Sequence, residues 1–148
     1  MLSKALKKHH VDINKYKFKY EEKGKPYLEG CPLHFSISHS LNYVAVAINK
    51  NPVGVDIQET KEFDEKLIEM IFNEKDHYFY DDESDKIAAF YKIWTFKEAY
   101  IKMTGEGLSK PLKDSRLNAL FEYNGNFFYN FTSLEGYQIS TCSPSYGL

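Results

Sequence analysis

The clearest signal along the chain is alternation of apolar and polar residues. Leu33, Phe35 and Ile37 alternate with His34, Ser36 and Ser38, which predicts a strand over 33–38. Val44, Val46 and Ile48 repeat the period of two and predict a second strand over 43–49. Asn51-Pro52 then marks a turn before a third strand over 53–58. Between Phe63 and Phe79 the period changes. Phe63, Leu67, Met70, Ile71 and Phe79 are interleaved with charges, so one amphipathic helix with an acidic outer face is expected. Another helix is expected to start near Ser84, as its N-cap, and to carry Ile87, Phe90, Tyr91, Trp94 and Ile101 until Thr104-Gly105 ends it. Asn124-Gly125 between Phe121–Tyr123 and Phe127–Phe131 predicts a hairpin, and Tyr137 to Cys142 a further strand. Strands, then helices, then strands imply an α+β fold: an antiparallel sheet with two main helices packed on one face.

Length and composition narrow this picture. At 148 residues and 43% hydrophobic content the chain suits a single domain over 1–148, with no repeat or linker to divide it. The two cysteines, Cys31 and Cys142, suggest neither a zinc site nor a disulfide framework, and the expected setting is the cytoplasm. No signal sequence or membrane span is legible. The net charge of -2 conceals an uneven distribution: eight of the 19 basic residues precede Pro26, whereas 59–85 holds eleven carboxylates against three lysines. A basic start attracts phosphates or an acidic protein. Nucleic-acid binding ranks low, because that stretch carries no recognition motif and the remainder is acidic.

Candidate chemistry falls on the third strand and the second helix. Alternation puts Asp56 and Gln58 side by side, opposite Val53, Val55 and Ile57. Gly54 leaves the same face bare, with room for a ligand to approach the backbone. Trp94, Glu98 and Lys102 follow at intervals of four and form one helical stripe. Alone, Glu98 and Lys102 read as an i,i+4 pair worth about 0.3 kcal/mol, and Asp56 as an ordinary strand residue. Taken together, hard oxygen donors with Lys97 and Lys102 nearby suit Mg²⁺ and a polyphosphate.

The motifs Gly24-Lys25-Pro26, Phe35-Ser36-Ile37-Ser38-His39-Ser40, Gly54-Val55-Asp56-Ile57-Gln58 and Trp94-Thr95-Phe96-Lys97-Glu98-Ala99-Tyr100-Ile101-Lys102 resemble the 4'-phosphopantetheinyl transferase superfamily. Their order is similar to that of the surfactin-synthetase-activating type. The likeness runs from about Tyr20 to Leu112, and Gly136 to Cys142 looks like the family's last core strand. It implies transfer of phosphopantetheine from coenzyme A to an acyl or peptidyl carrier protein. By position, Asp56, Gln58 and Glu98 would bind Mg²⁺, with Gln58 standing where many members have an acidic ligand. Gly24, Lys25, Pro26, Ser38, His39, Lys97 and Lys102 would bind coenzyme A, with Glu98 and Lys102 catalytic and Glu98 the proton acceptor. The larger members look like two similar halves, so the resemblance also implies a shortened first half and leads us to expect a homo-oligomer. The competing reading is a non-catalytic module that binds coenzyme A or a carrier.

Overall fold

The computed structural model describes residues 1–107, 112–113 and 126–144. Its elements are helix α1 (Leu2–Lys7), strands β1 (Lys17–Tyr20), β2 (Pro26–Glu29), β3 (His34–Ser40), β4 (Tyr43–Asn49) and β5 (Gly54–Glu59), helices α2 (Lys66–Ile71), α3 (Glu74–Asp82) and α4 (Lys86–Thr104), and strands β6 (Asn126–Phe131) and β7 (Tyr137–Pro144). The fold is α+β with antiparallel pairing, as expected, but the strands divide into three groups: β1-β2, β3-β4 and β5-β7-β6. The predicted turn at Asn124-Gly125 and the strand before it lie outside the described residues.

The strands expected near 33–38, 43–49 and 53–58 form close to those limits. The faces of β3 differ from a simple apolar-inside reading: Ser36 and Ser38 are buried, whereas Ile37 is 39% exposed. The reason is a ladder of hydroxyls. Ser36 Oγ accepts from the Val55 amide at 3.1 Å, Ser38 Oγ from Ile57 at 3.2 Å and Ser40 Oγ from Glu59 at 3.0 Å. These side chains join β3 to β5 without a backbone ladder, so burying them satisfies polar groups on both strands.

The single helix expected from Phe63 to Phe79 is two helices. Asn73 caps α3 with a reciprocal box: its side chain accepts from the Asp76 amide, and Asp76 Oδ2 accepts from the Asn73 amide. This local alternative to continued helix outcompetes the apolar spacing. Phe63 precedes α2 and stacks on Phe90, ring centroids 3.8 Å apart. On α4, Asp85 rather than Ser84 is the N-cap, accepting from the Ala88 amide at 3.0 Å. Gly105, in the left-handed conformation at φ 73°, closes the helix where the sequence placed its end.

Helix α4 packs on β5 and β7, and an aromatic core including Phe72, Phe90 and Phe96 fills the space toward α2 and α3. Gly54 belongs to this packing. A Cβ there would lie 1.8 Å from the Ala99 carbonyl oxygen. The bare face therefore admits the α4 backbone, which corrects the expectation of ligand space at Gly54. The N-terminal segment adds elements not anticipated: Leu2 and Leu6 of α1 join Leu28 and Phe35 in a second core.

Candidate functional site

Asp56 sits mid-strand on β5, opposite Ser140 of β7, and is 2% exposed. A buried carboxylate needs compensation, and three side chains provide it. The Ser38 hydroxyl donates to Oδ1 at 3.1 Å, Lys102 Nζ donates to the same oxygen at 2.8 Å, and Gln58 Nε2 donates to Oδ2 at 3.1 Å. Lys102 Nζ also reaches Ser38 Oγ at 3.0 Å. Ser38 thus accepts from Ile57 and Lys102 while donating to Asp56, a fully used hydroxyl.

The stripe on α4 forms as its spacing requires. Trp94 Nε1 donates to Glu98 Oε1 at 3.4 Å, and Lys102, one turn further on, ion-pairs with Asp56. Burial pushes the Glu98 carboxyl above its ordinary value, and the negative charge of Asp56 pushes it further the same way. The Trp94 hydrogen bond and Lys102 oppose these effects. Two carboxylates are therefore held close enough to repel, beside one ammonium.

Other predicted residues lie at varying distances from this cluster. Gly24, Lys25 and Pro26 line a cleft of about 250 Å³ together with Lys23, Ile37 and Lys102, so Lys102 connects the cleft to Asp56. Within it, Lys25 Nζ donates to the carbonyls of Met103 at 2.9 Å and Val53 at 3.2 Å, tying the β1-β2 turn to the end of α4. Burial lowers its pKa, with Glu21 acting in the opposite sense. His39 is exposed and points from the face of β3 opposite Ser38, so it does not join the Asp56 cluster. Gln58 and Trp94 line a second cleft of about 400 Å³ with Glu59, Glu62, Phe63 and Tyr91.

Lys97 corrects the sequence reading. Its ammonium is buried in an ion pair with Asp76 and donates to the carbonyls of Ile71 and Leu112, each at 2.8 Å. It fastens α4 to α3 and stands away from Asp56. Sequence reasoning in turn passed over Lys23, which lines the first cleft next to the Gly-Lys-Pro motif, and Asp76, which no motif marked.

Among the described residues no three His, Cys, Asp or Glu side chains converge as a metal-ligand set. No described helix is long and apolar enough to cross a membrane.

The sequence profile of the 4'-phosphopantetheinyl transferase superfamily matches residues 52–142. The 4'-phosphopantetheinyl transferase gsp of Aneurinibacillus migulanus is 33% identical over 137 residues, covering 85% of this chain and 57% of that protein. The 4'-phosphopantetheinyl transferase Sfp of Bacillus subtilis (strain 168) is 33% identical over 109 residues, covering 72% of this chain and 49% of that protein. The chain thus spans about half the length of the curated relatives it matches. The crystal structure of Thermotoga maritima holo-[acyl-carrier-protein] synthase aligns with a TM-score of 0.52 at 17% identity over 63% of this chain and 62% of that one, a shared fold. Since the profile takes in over half of the chain, β5 and α4 included, the chain belongs to the 4'-phosphopantetheinyl transferase superfamily, and its relatives assign it to the surfactin-synthetase-activating type.

Proposed function

We propose that this chain transfers the 4'-phosphopantetheine group of coenzyme A to a serine of an acyl or peptidyl carrier protein. The observation that carries this reading is the pair of carboxylates, Asp56 and Glu98, held beside Lys102, which itself lines the cleft with Lys23 and Lys25. Lys23, Lys25 and Lys102 supply the positive charge that a pyrophosphate needs, and Ser38 fixes Asp56 and Lys102 relative to each other. Glu98, whose pKa is raised by burial and by Asp56, is suited to accept the proton of the carrier hydroxyl. The hydroxyl oxygen bonds to the β-phosphorus as the bond to the bridging oxygen breaks, and adenosine 3',5'-bisphosphate leaves with that electron pair. Most of the acceleration comes from positioning and charge stabilisation.

The donor set fits Mg²⁺: two carboxylates and the Gln58 amide oxygen are hard ligands, and this ion takes one or two carboxylates with phosphate and water. Asp56, Glu98 and Gln58 would hold it. Once bound, it would neutralise pyrophosphate charge and relieve the repulsion that raises Glu98. Gln58 Nε2 donates to Asp56 Oδ2, so its amide would turn over to offer oxygen to the ion.

That same contact favours a second reading, a non-catalytic module that binds coenzyme A or a carrier. Incubation with coenzyme A, Mg²⁺ and several apo carrier proteins, followed by mass spectrometry, separates the two. The transfer reading expects a phosphopantetheine adduct that is lost in Glu98→Gln. An unmodified carrier with coenzyme A binding retained by calorimetry would decide for the binding module.

A further inference from the structure

A row of polar side chains crosses the three-stranded sheet. Asp56 on β5 stands opposite Ser140 on β7, and Asn130 on β6 stands opposite the same serine. Directly opposed residues of antiparallel strands point to one face of the sheet. That face lies under α4, because Thr95 of the helix meets Ser140 there, hydroxyl oxygens 2.6 Å apart. Both residues are 0% exposed.

Hydroxyls buried so completely need a place for each proton. Asn130 Nδ2 donates to Ser140 Oγ at 3.2 Å, to Gln138 Oε1 at 2.8 Å and to the Ile139 carbonyl at 3.3 Å. At the other end, Thr95 Oγ1 donates to the Lys92 carbonyl at 3.2 Å. The two ends set the sense of the middle bond: Ser140 receives from Asn130 and gives its own proton to Thr95. A network satisfied in this way holds its members in one arrangement.

The hydroxyl pair spans the gap between helix and sheet that also separates the two carboxylates. Glu98 lies three residues, about one turn, beyond Thr95 on α4. Asp56 lies beside Ser140, and Lys102 closes the same gap again through its ion pair with Asp56 at 2.8 Å. A hydrogen bond brings oxygens closer than an apolar contact, which settles at about 3.5–4.0 Å. A methyl in place of the Thr95 hydroxyl therefore pushes α4 off the sheet by about 1 Å. We infer that the Thr95–Ser140 bond is the spacer that sets how far Glu98 stands from Asp56, which makes both hydroxyls positioning groups. Its consequence for turnover rests on the transfer reading, whereas the spacing itself does not. A misplacement of about 1 Å costs about 10²-fold in rate. The loss should fall on kcat, because neither residue lines the cleft of Lys23, Lys25 and Lys102.

Thr95→Val and Thr95→Ser test the spacer, with carrier modification followed by mass spectrometry and stability by Trp94 fluorescence in urea. Thr95→Val should lower kcat about 10²-fold and leave the KM for coenzyme A unchanged, and Thr95→Ser, which keeps the hydroxyl, should retain most of the wild-type rate. Ser140→Ala adds no bulk and should move kcat in the same direction, so it replaces Thr95→Val if that variant does not fold. A double-mutant cycle needs no activity. The separate midpoint losses of Thr95→Val, or Ser140→Ala, and Lys102→Met should sum to more than the loss in the double variant, because a displaced helix already weakens the Lys102 ion pair. Wild-type kcat in Thr95→Val, a loss that Thr95→Ser fails to recover, a change confined to KM, or additive midpoints would each overturn the inference. A wild type that modifies no carrier overturns the transfer reading instead, and the cycle then decides the spacer.

Discussion

Replacing Lys97 with methionine separates a packing role from a substrate role most sharply. The Lys97 and Asp76 side chains are 0% and 1% exposed, so the ion pair is dry. Methionine fills most of the aliphatic volume but removes the charge. Asp76 is then left as a buried carboxylate with the Asn73 amide on Oδ2 and, among the described residues, no hydrogen-bond partner on Oδ1. Stranding one member of a buried pair costs about 3–5 kcal/mol. Losing the donor to the Ile71 and Leu112 carbonyls adds to that. Against a total stability of about 5–15 kcal/mol, this is a large fraction. The chain's single tryptophan, Trp94, stacks on Tyr91 inside the aromatic core, so its fluorescence reports unfolding in urea. At about 2 kcal/mol per molar urea, the midpoint should fall by roughly 2 M. Asp76→Asn should cost less, because its amide oxygen still accepts from Asn73, and the double variant should show strong coupling. A loss below about 1 kcal/mol, accompanied by a raised KM for coenzyme A, would refute the packing role and return Lys97 to the substrate.

Three further outcomes follow from the same geometry. Gly54→Ala should lower the melting temperature steeply, since the new Cβ meets the Ala99 carbonyl oxygen at 1.8 Å and α4 must shift; an unchanged melt would mean that β5 and α4 pack less closely. Glu98→Gln should raise stability at neutral pH while abolishing transfer. The Glu98 pKa in the fold lies above its ordinary value of 4.5, so its charged form opposes folding as pH rises through that window, and the gain should vanish in melts recorded below it. Lys102→Met should move the Glu98 titration, followed by carbon NMR of its carboxyl, further upward, because the lysine charge lowers it; a downward shift would contradict the arrangement.

The parts legible in the sequence were those governed by local periodicity. The period of two in β3, β4 and β5, the stripe Trp94, Glu98 and Lys102, and the stop at Gly105 all recur in the structure. Alternation separates two faces of a strand without saying which is inward, and so Ser36 and Ser38 gave no hint that their hydroxyls would be buried against β5. The same limit misled the reading of Gly54, whose bare face accommodates a helix. The split between α2 and α3 depends on Asn73 and Asp76 binding each other's amides, a competition that apolar spacing does not register. Lys97 lies one residue, about 100° of helical turn, off the Glu98 stripe. Its direction toward Asp76 is set by how α3 docks, which only the tertiary packing fixes.

The flanking of β5 also constrains the order of folding. Asp56 is held from one side by Ser38, which precedes it in the chain, and its strand is paired on the other by β7, with Ser140 opposite, from the C-terminal part. A growing polypeptide therefore carries every residue of the Asp56 cluster long before the strand that seats them emerges. Contacts so distant along the chain form slowly, because closing the intervening loop costs entropy before pairing returns any stability. The site should be among the last features to acquire native geometry, and a chain ending before Tyr137 would retain Asp56, Glu98 and Lys102 yet lack the strand that seats β5.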